Sequence, residues 1–198
     1  PIAGNTDDGT LLLAELRPFV YRKYIDFATI DALRDMKAMI AHEVVKKKLQ
    51  RNIKLGPGGI REIEFIGQSF QLIYGGREIQ LRTRQIIPTL QHLQLTQRLT
   101  GSTVAALLKA YTFMRQVENR LQLKNDQQTH DLPYDKYDKL QISNAMGYAT
   151  WPHFVNDLLV HVDNVKFVFN SIFGDIIEEG ETAGFVHEFN SIWRQQSK

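Results

Sequence analysis

The 198-residue sequence contains no cysteine. This absence excludes disulfides, zinc–thiolate sites and thiol nucleophiles. The sequence also lacks a strong excess of either charge, because 24 lysines and arginines are set against 22 aspartates and glutamates, for a formal net charge of +2. Such a balance gives no general argument for binding nucleic acid, and we expect no nucleic-acid partner.

Long apolar runs are missing as well. No run approaches the roughly 18 apolar residues needed to cross a bilayer, and no signal peptide is recognisable, so we expect no membrane partner and a cytoplasmic location. The chain begins at Pro1 without a methionine, and we interpret it as an excised piece of a larger cytoplasmic protein.

Apolar residues recur at intervals of three and four along nearly the whole chain, which is the period of amphipathic helices. The stretch from Gly59 to Tyr74 is apolar almost all round, as expected for a helix at the centre of a bundle. The sequence therefore predicts an all-α fold, a helical bundle with one short extended segment at Ile53–Leu55.

Three regions are expected along the chain. Residues 1–50 would form entry helices. Residues 51–174 would form the helical bundle domain, with its glycine-rich strand, turn and helix. Residues 175–198 would form a C-terminal tail or helix.

The segment NIKLGPGGIREIEF, from Asn52 to Phe65, combines a lysine, a glycine-rich turn and the start of a helix. Glycines allow close approach to the backbone, and the free N–H groups of a helix start attract anions. Lys54, Gly58 and Gly59 could therefore hold a phosphate. The alternative is a tight turn carrying an exposed lysine. The spacing matches neither a Walker A loop nor the dinucleotide-binding fingerprint.

Two acids, Glu62 and Glu64, lie in the apolar helix that follows. Because they are two residues apart, they point to different faces, so one could be buried and functional while the other is solvated. The alternative is local pairing with Arg61, or the ordinary preference of acids for a helix start.

Four polar residues lie together in the middle of a later helix: Arg115, Glu118, Asn119 and Arg120. They could form a network that holds Asp126, Thr129 or His130. The alternative is pairing on the helix surface beside a capped loop.

The other histidines show no metal-ligand spacing and suggest ordinary surface or half-buried residues, so no metal site is expected. They are His42, His92, His153, His161 and His187.

Three stretches closely resemble the glutamate–ammonia-ligase adenylyltransferase family, the bifunctional enzymes that add AMP to glutamine synthetase and remove it. They are IDALRDMKAMIAHEV, NIKLGPGGIREIEFIGQSFQLIYGGRE, and RQVENRLQ followed by NDQQTHDLP. The resemblance extends from about Arg17 to Gly174. Arg61-Glu62 after the glycine pair resembles the N-terminal, deadenylylating half, where the other half usually has Thr-Asp.

The resemblance implies a phosphorolysis that releases ADP, and an adenylylation that uses ATP and Mg²⁺. It places Lys54, Gly58, Gly59, Arg61 and Glu62 at the border of the active site. The family's signature, Gly-Ser followed by Asp-x-Asp, is absent, since nothing of that form follows Gly101-Ser102. The metal-binding acids are therefore expected upstream of this chain, in a nucleotidyltransferase core to which the entry helices at residues 1–50 would link. The chain alone is expected to be inactive and to require no cofactor.

The resemblance also implies two protein partners, glutamine synthetase and the PII signal protein. A different class of function stays open, in which the chain is a non-catalytic helical module that binds one of them. In the full-length enzyme, Lys54→Ala or Gly59→Val is expected to impair deadenylylation while the helical region stays folded.

Overall fold

The computed structural model describes residues 4–23, 27–123 and 128–173 of the chain. Within these ranges the protein contains α-helices and two short 3-10 turns, at Leu49–Arg51 and Ile79–Leu81, but no strand. The predicted all-α fold is confirmed. The helices are α1 (Thr6–Val20), α2 (Phe27–Lys46), α3 (Ile60–Tyr74), α4 (Ile86–Leu95), α5 (Gly101–Leu123), α6 (Lys136–Ala145) and α7 (Trp151–Phe173). None of these described helices combines the length and hydropathy needed to cross a membrane.

Helix α3 lies at the centre of the bundle, as its apolar sequence predicts, and packs against α4, α5 and α7. Its side chains at Ile60, Ile63, Ile66 and Phe70 are fully buried. Gly67 lets α4 approach closely, because a Cβ atom there would lie 2.3 Å from the Cδ1 atom of Ile86. The centre of the fold is thus the helix that directly follows the glycine-rich turn.

The two longest helices, α5 and α7, pack along each other and complete the core beside α3. Burial follows the predicted spacing of three and four residues on both helices. The fully buried side chains here are Val104, Leu107, Ala110, Met114 and Val117 of α5 and Phe154 and Val165 of α7.

Helix α1 contains several large apolar residues but has no buried residue. Its helix start is capped by Asn5, whose side chain accepts a hydrogen bond from the backbone N–H of Asp7 at 2.9 Å. The most exposed apolar side chains of α1 are Leu11, Leu12 and Phe19, which are 60–73% exposed. The predicted tail at 175–198 and Asp126 lie outside the described residues.

The extended pairing lies one residue earlier than the predicted segment Ile53–Leu55. Asn52 forms an isolated antiparallel bridge with Asp131. On either side of it, the N–H of Ile53 donates to the carbonyl of His130 at 2.9 Å, and the N–H of Leu132 donates to the carbonyl of Arg51 at 3.1 Å. The segment after α5 is therefore joined to the segment before α3.

Residues 53–55 themselves form a turn, so the extended segment predicted at Ile53–Leu55 is wrong in position. The side-chain Oδ1 of Asn52 accepts hydrogen bonds from the N–H groups of Lys54 and Leu55, at 3.1 and 2.8 Å. This local capture of backbone N–H groups favours a turn over continued strand pairing.

The glycine-rich turn packs directly against α7 at Gly58. This residue has φ +71°, and a Cβ atom there would lie 2.3 Å from the carbonyl oxygen of Val162 and 2.8 Å from its Cγ1 atom. Both the backbone conformation and the space thus require glycine. Gly147 offers a contrast, because it has φ +83° but nothing within 4 Å of its added Cβ.

We expect Gly58→Ala to lower the free energy of unfolding by about 3 kcal/mol, because it adds overpacking to backbone strain. Gly147→Ala should lower it by only about 1 kcal/mol, since it introduces the backbone strain alone. Urea unfolding of the two variants checks this difference. Equal losses at the two positions would contradict the packing of the turn against α7.

Candidate functional site

Asn52 organises the turn that carries Lys54. Its side-chain oxygen accepts hydrogen bonds from the N–H groups of Lys54 and Leu55. Its backbone carbonyl accepts a further hydrogen bond from the N–H of Gly56 at 2.8 Å. Its side-chain amide donates to the carboxylate of Asp131 at 2.8 Å. A single buried asparagine therefore shapes the turn and joins it to the segment after α5.

Arg51 reinforces the same junction from the preceding position. Its guanidinium donates to the carbonyls of Leu132 and Pro133, at 3.3 and 2.7 Å. It also lies over the ring of Tyr134, 4.1 Å from the ring centroid, which is a favourable cation–π distance. Residues 51–54 and 130–134 consequently form one unit on the surface of the bundle.

The backbone N–H groups at the start of α3 are all occupied within the chain, so they are not the free anion site that the sequence suggested. The N–H of Gly58 donates to the side chain of Glu62 at 2.9 Å. The next four N–H groups donate to carbonyl oxygens at 2.9–3.1 Å; the pairs are Gly59 to Gly56, Ile60 to Ile53, Arg61 to Lys54 and Glu62 to Gly59. Phosphate binding here would depend on side chains.

Gly59 is enclosed by the same carbonyl groups. A Cβ atom at this position would lie 2.7–2.8 Å from the carbonyl oxygens of Ile53, Lys54 and Gly56. Gly59→Val would therefore disturb the turn itself, contrary to the expectation that it leaves the helical region folded. Lys54 is the position at which function and folding can be separated.

The side chain of Lys54 is neither free nor fully solvated. It is 35% exposed, and its Nζ atom lies 3.5 Å from the Oε1 atom of Glu118 on α5. The alternative of a simple exposed lysine is thus incomplete, because this lysine belongs to an ion pair that connects the turn to α5.

Glu118 is the centre of a group of charges from three chain segments, here named the Glu118 cluster: Glu118, Lys54, Arg115 and His130. The carboxylate is only 3% exposed. Its Oε2 atom lies 2.6 Å from Nη1 of Arg115, one turn earlier on α5, and its Oε1 atom lies 3.1 Å from Nε2 of His130. A buried carboxylate requires such partners, since an unpaired buried charge is costly.

The predicted polar network is therefore confirmed for Arg115, Glu118 and His130. Asn119 and Arg120 are exposed and lie outside it, and the Arg120 side chain instead donates to the carbonyl of Ala145 at 3.4 Å. The hydroxyl of Thr129 accepts a local hydrogen bond from the N–H of Asp131.

The link between Lys54 and Glu118 was not foreseen from the sequence, because the two residues are far apart along the chain. One signal could have indicated it. Glu118 falls at helical spacing from the buried residues Met114 and Leu121, on the apolar face of α5, where an acid must find partners.

Glu62 is half-buried and lies away from this cluster. It accepts from Gly58, and burial raises the pKa of its carboxyl above the usual 4.5, against the opposing effects of the Gly58 N–H and the positive charges of Lys166 and Lys37. Arg61 is exposed. The Lys54 side chain therefore pairs with α5, whereas the Glu62 carboxylate interacts electrostatically with Lys166 of α7 and Lys37 of α2.

A shallow groove between α5 and α7 lies apart from the predicted site residues, none of which lines it. Its lining includes Phe113 and His161, whose ring centroids are 4.6 Å apart. Burial lowers the pKa of His161 below its usual 6.5. The groove is therefore mainly apolar, and its lining includes the positive charge of Lys109.

We expect Glu62→Gln to weaken the pH dependence of stability. The folded-state pKa of Glu62 is raised, so the folded protein holds this proton more strongly than the unfolded chain, and stability falls as the pH rises from 4.5 through the raised pKa. Glutamine keeps an acceptor for the Gly58 N–H without the desolvated charge.

Urea unfolding between pH 4 and pH 8 checks this, with Glu62→Ala as the matched variant that loses the acceptor and should be less stable throughout. Glu62→Gln should be at least as stable as the wild type at neutral pH. A wild type that gains stability over Glu62→Gln as the pH rises would contradict the burial of this charge.

A known protein family matches the part of the chain that contains this site. The family model of GlnD PII-uridylyltransferase matches residues 34–173, which is more than half of the chain. The match includes all four members of the Glu118 cluster and the helices α3 to α7. It supports a nucleotidyltransferase-related role in nitrogen regulation. The chain therefore belongs to the GlnD PII-uridylyltransferase family.

Proposed function

We propose that this chain is the helical region of an enzyme that adenylylates and deadenylylates glutamine synthetase, in the deadenylylating half. The observation that carries the proposal is the Glu118 cluster. It joins the two polar stretches on which the resemblance to the adenylyltransferase family most depends, NIKLGPGGIREIEF through Lys54 and RQVENRLQ…NDQQTHDLP through Glu118 and His130. Motifs distant in sequence thus meet at one cationic surface.

The proposed chemistry explains the need for such a surface. In phosphorolysis an oxygen of inorganic phosphate attacks the phosphorus of the AMP group, the bond from that phosphorus to the tyrosine oxygen breaks, and ADP and a protonated tyrosine are formed. Two anionic groups must be brought together for this attack. A lysine at the site would offset their repulsion most strongly in the transition state.

The magnesium ion expected for adenylylation does not fit the described residues. Among them, no group of three or more histidines, aspartates and glutamates is arranged to hold a metal ion. We therefore assign the metal-binding acids, and the binding of the ATP–magnesium complex, to a nucleotidyltransferase domain that acts together with this chain. The role proposed for this chain is to place cationic side chains beside the phosphate groups.

Two other functions remain as alternatives, each favoured by an observation. The matching family model is described as a PII-uridylyltransferase, which favours transfer of UMP to PII. The exposed apolar side chains of α1 favour a non-catalytic module that binds glutamine synthetase or PII. Assays with each nucleotide and each protein substrate distinguish these functions.

The deciding experiment uses the full-length enzyme with labelled ATP and glutamine synthetase, and in parallel with labelled UTP and PII. We expect transfer of AMP to glutamine synthetase and its phosphate-dependent removal as ADP. Transfer of UMP to PII alone would support the uridylyltransferase alternative. Binding to either protein without any transfer would support the interaction module.

In that enzyme, Lys54→Ala should raise the activation free energy of deadenylylation by about 2–4 kcal/mol if the lysine contacts phosphate. The matched control is Lys109→Ala, which removes one exposed lysine from α5 without touching the Glu118 cluster. Circular dichroism should show the helices intact in both variants. Wild-type kinetics in folded Lys54→Ala would mean that Lys54 serves only the structure of the turn.

A further inference from the structure

We infer that Lys54, Arg115 and His130 together form a binding site for a phosphate group, with Glu118 as the positioning residue behind them. The inference deepens the function proposed above and rests on it for the source of the phosphate, either inorganic phosphate or the phosphate of a nucleotide. The sequence suggested Lys54 as a phosphate residue, but not Arg115, His130 or Glu118.

The exposures of the four side chains place the negative charge inside and the positive charges outside. Glu118 is 3% exposed, whereas His130, Lys54 and Arg115 are 22%, 35% and 41% exposed. Two permanent cations and one anion leave the cluster with one net positive charge even when His130 is neutral. An anion approaching from solvent therefore meets the cationic groups first.

The three outer side chains retain unused hydrogen-bonding capacity. An ammonium group has three donors and a guanidinium has five. Among the described residues, Lys54 pairs its ammonium with Glu118, and Arg115 pairs Nη1 with Glu118 while its guanidinium lies 6.0 Å from the ring centroid of Tyr111. His130 directs Nε2 toward Glu118, with the Gln122 amide 3.5 Å away, and its Nδ1 becomes a donor for an anion when the ring is protonated.

The site is held in place before any ligand binds. Glu118 engages Lys54 and His130 through one oxygen and Arg115 through the other, so each outer side chain is fixed against the same buried group. The backbone bond from Ile53 to His130 and the side-chain bond from Asn52 to Asp131 fix the two loops that carry Lys54 and His130. Donors fixed in advance bind an anion without a further ordering cost.

The chemistry of the donors favours phosphate over a carboxylate. Arginine suits bidentate binding of phosphate, and lysine adds a compact point charge. A phosphate group presents three acceptor oxygens, one for each of three donors arriving from different chain segments. A carboxylate carries a single negative charge, against about −1.5 to −2 for a phosphate group at pH 7, so we expect it to bind more weakly at these cations.

The test is isothermal titration of the 198-residue chain with inorganic phosphate at pH 7 and low salt, followed by AMP and ADP. We expect saturable binding of phosphate, weakened about tenfold by either Lys54→Ala or Arg115→Ala, as for the loss of one charge-assisted hydrogen bond. Lys109→Ala, which removes a lysine elsewhere on α5, should bind like the wild type. Tighter binding of AMP or ADP than of phosphate would identify a nucleotide as the source.

The Glu118→Gln variant shows whether Glu118 acts by positioning the three donors or only through its charge. It adds one net positive charge to the cluster, so a surface that acts only by charge would bind phosphate more tightly. If Glu118 positions the three donors, the variant should bind at least about fivefold more weakly despite the added charge. Thermal melting checks that it is folded, and Arg115→Ala tests the site independently through a partly exposed side chain.

Three results would overturn the inference: no saturable phosphate binding by the wild type, equal weakening by Lys109→Ala, or unchanged or tighter binding by folded Glu118→Gln. These outcomes are separable from the proposed function. A chain that binds phosphate as described, in an enzyme that transfers UMP to PII, would retain the site and reject the adenylyltransferase assignment.

Discussion

The functional surface of this protein depends on the ion pairs that the buried carboxylate of Glu118 forms. A carboxylate on the apolar face of a helix is stable only when cations and donors surround it. Here those partners come from outside α5 as well as from within it, so burying the acid requires the turn before α3 and the segment after α5 to meet. These ion pairs act together with the hydrogen bonds of Asn52 and Arg51 and the backbone bonds between the two segments, and they hold in place two loops that the helices alone would leave unconnected.

The bundle supports this arrangement through the glycine-rich turn. Gly58 brings the turn against α7, and the N–H groups that follow are used to close the turn onto α3. The turn is consequently rigid and its backbone is unavailable to a ligand, which leaves side chains as the means of binding. Lys54 projects from this rigid turn to α5, and this is why it, more than the glycines, is the informative position for function.

Much of the fold could be predicted from the sequence because helical periodicity is a local signal. The central position of α3 followed from its apolar sequence, and the core of α5 and α7 from spacings of three and four. The turn at Ile53–Leu55 was missed because the side chain of Asn52 captures N–H groups that a strand would need. The pair of Lys54 with Glu118 was missed because contacts between distant segments leave no periodic trace, and only the acid among apolar neighbours on α5 hinted at it.

The most direct test of this account is amide hydrogen exchange in the wild type and in Glu118→Gln. The informative amides are those of Ile53 and Leu132, which bond the two loops together, with the amide of Tyr148 beyond α6 as the reference. If Glu118 holds the loops, both should exchange about tenfold faster or more in the variant while Tyr148 is unchanged. Unchanged protection of Ile53 and Leu132 would contradict the central role of this carboxylate.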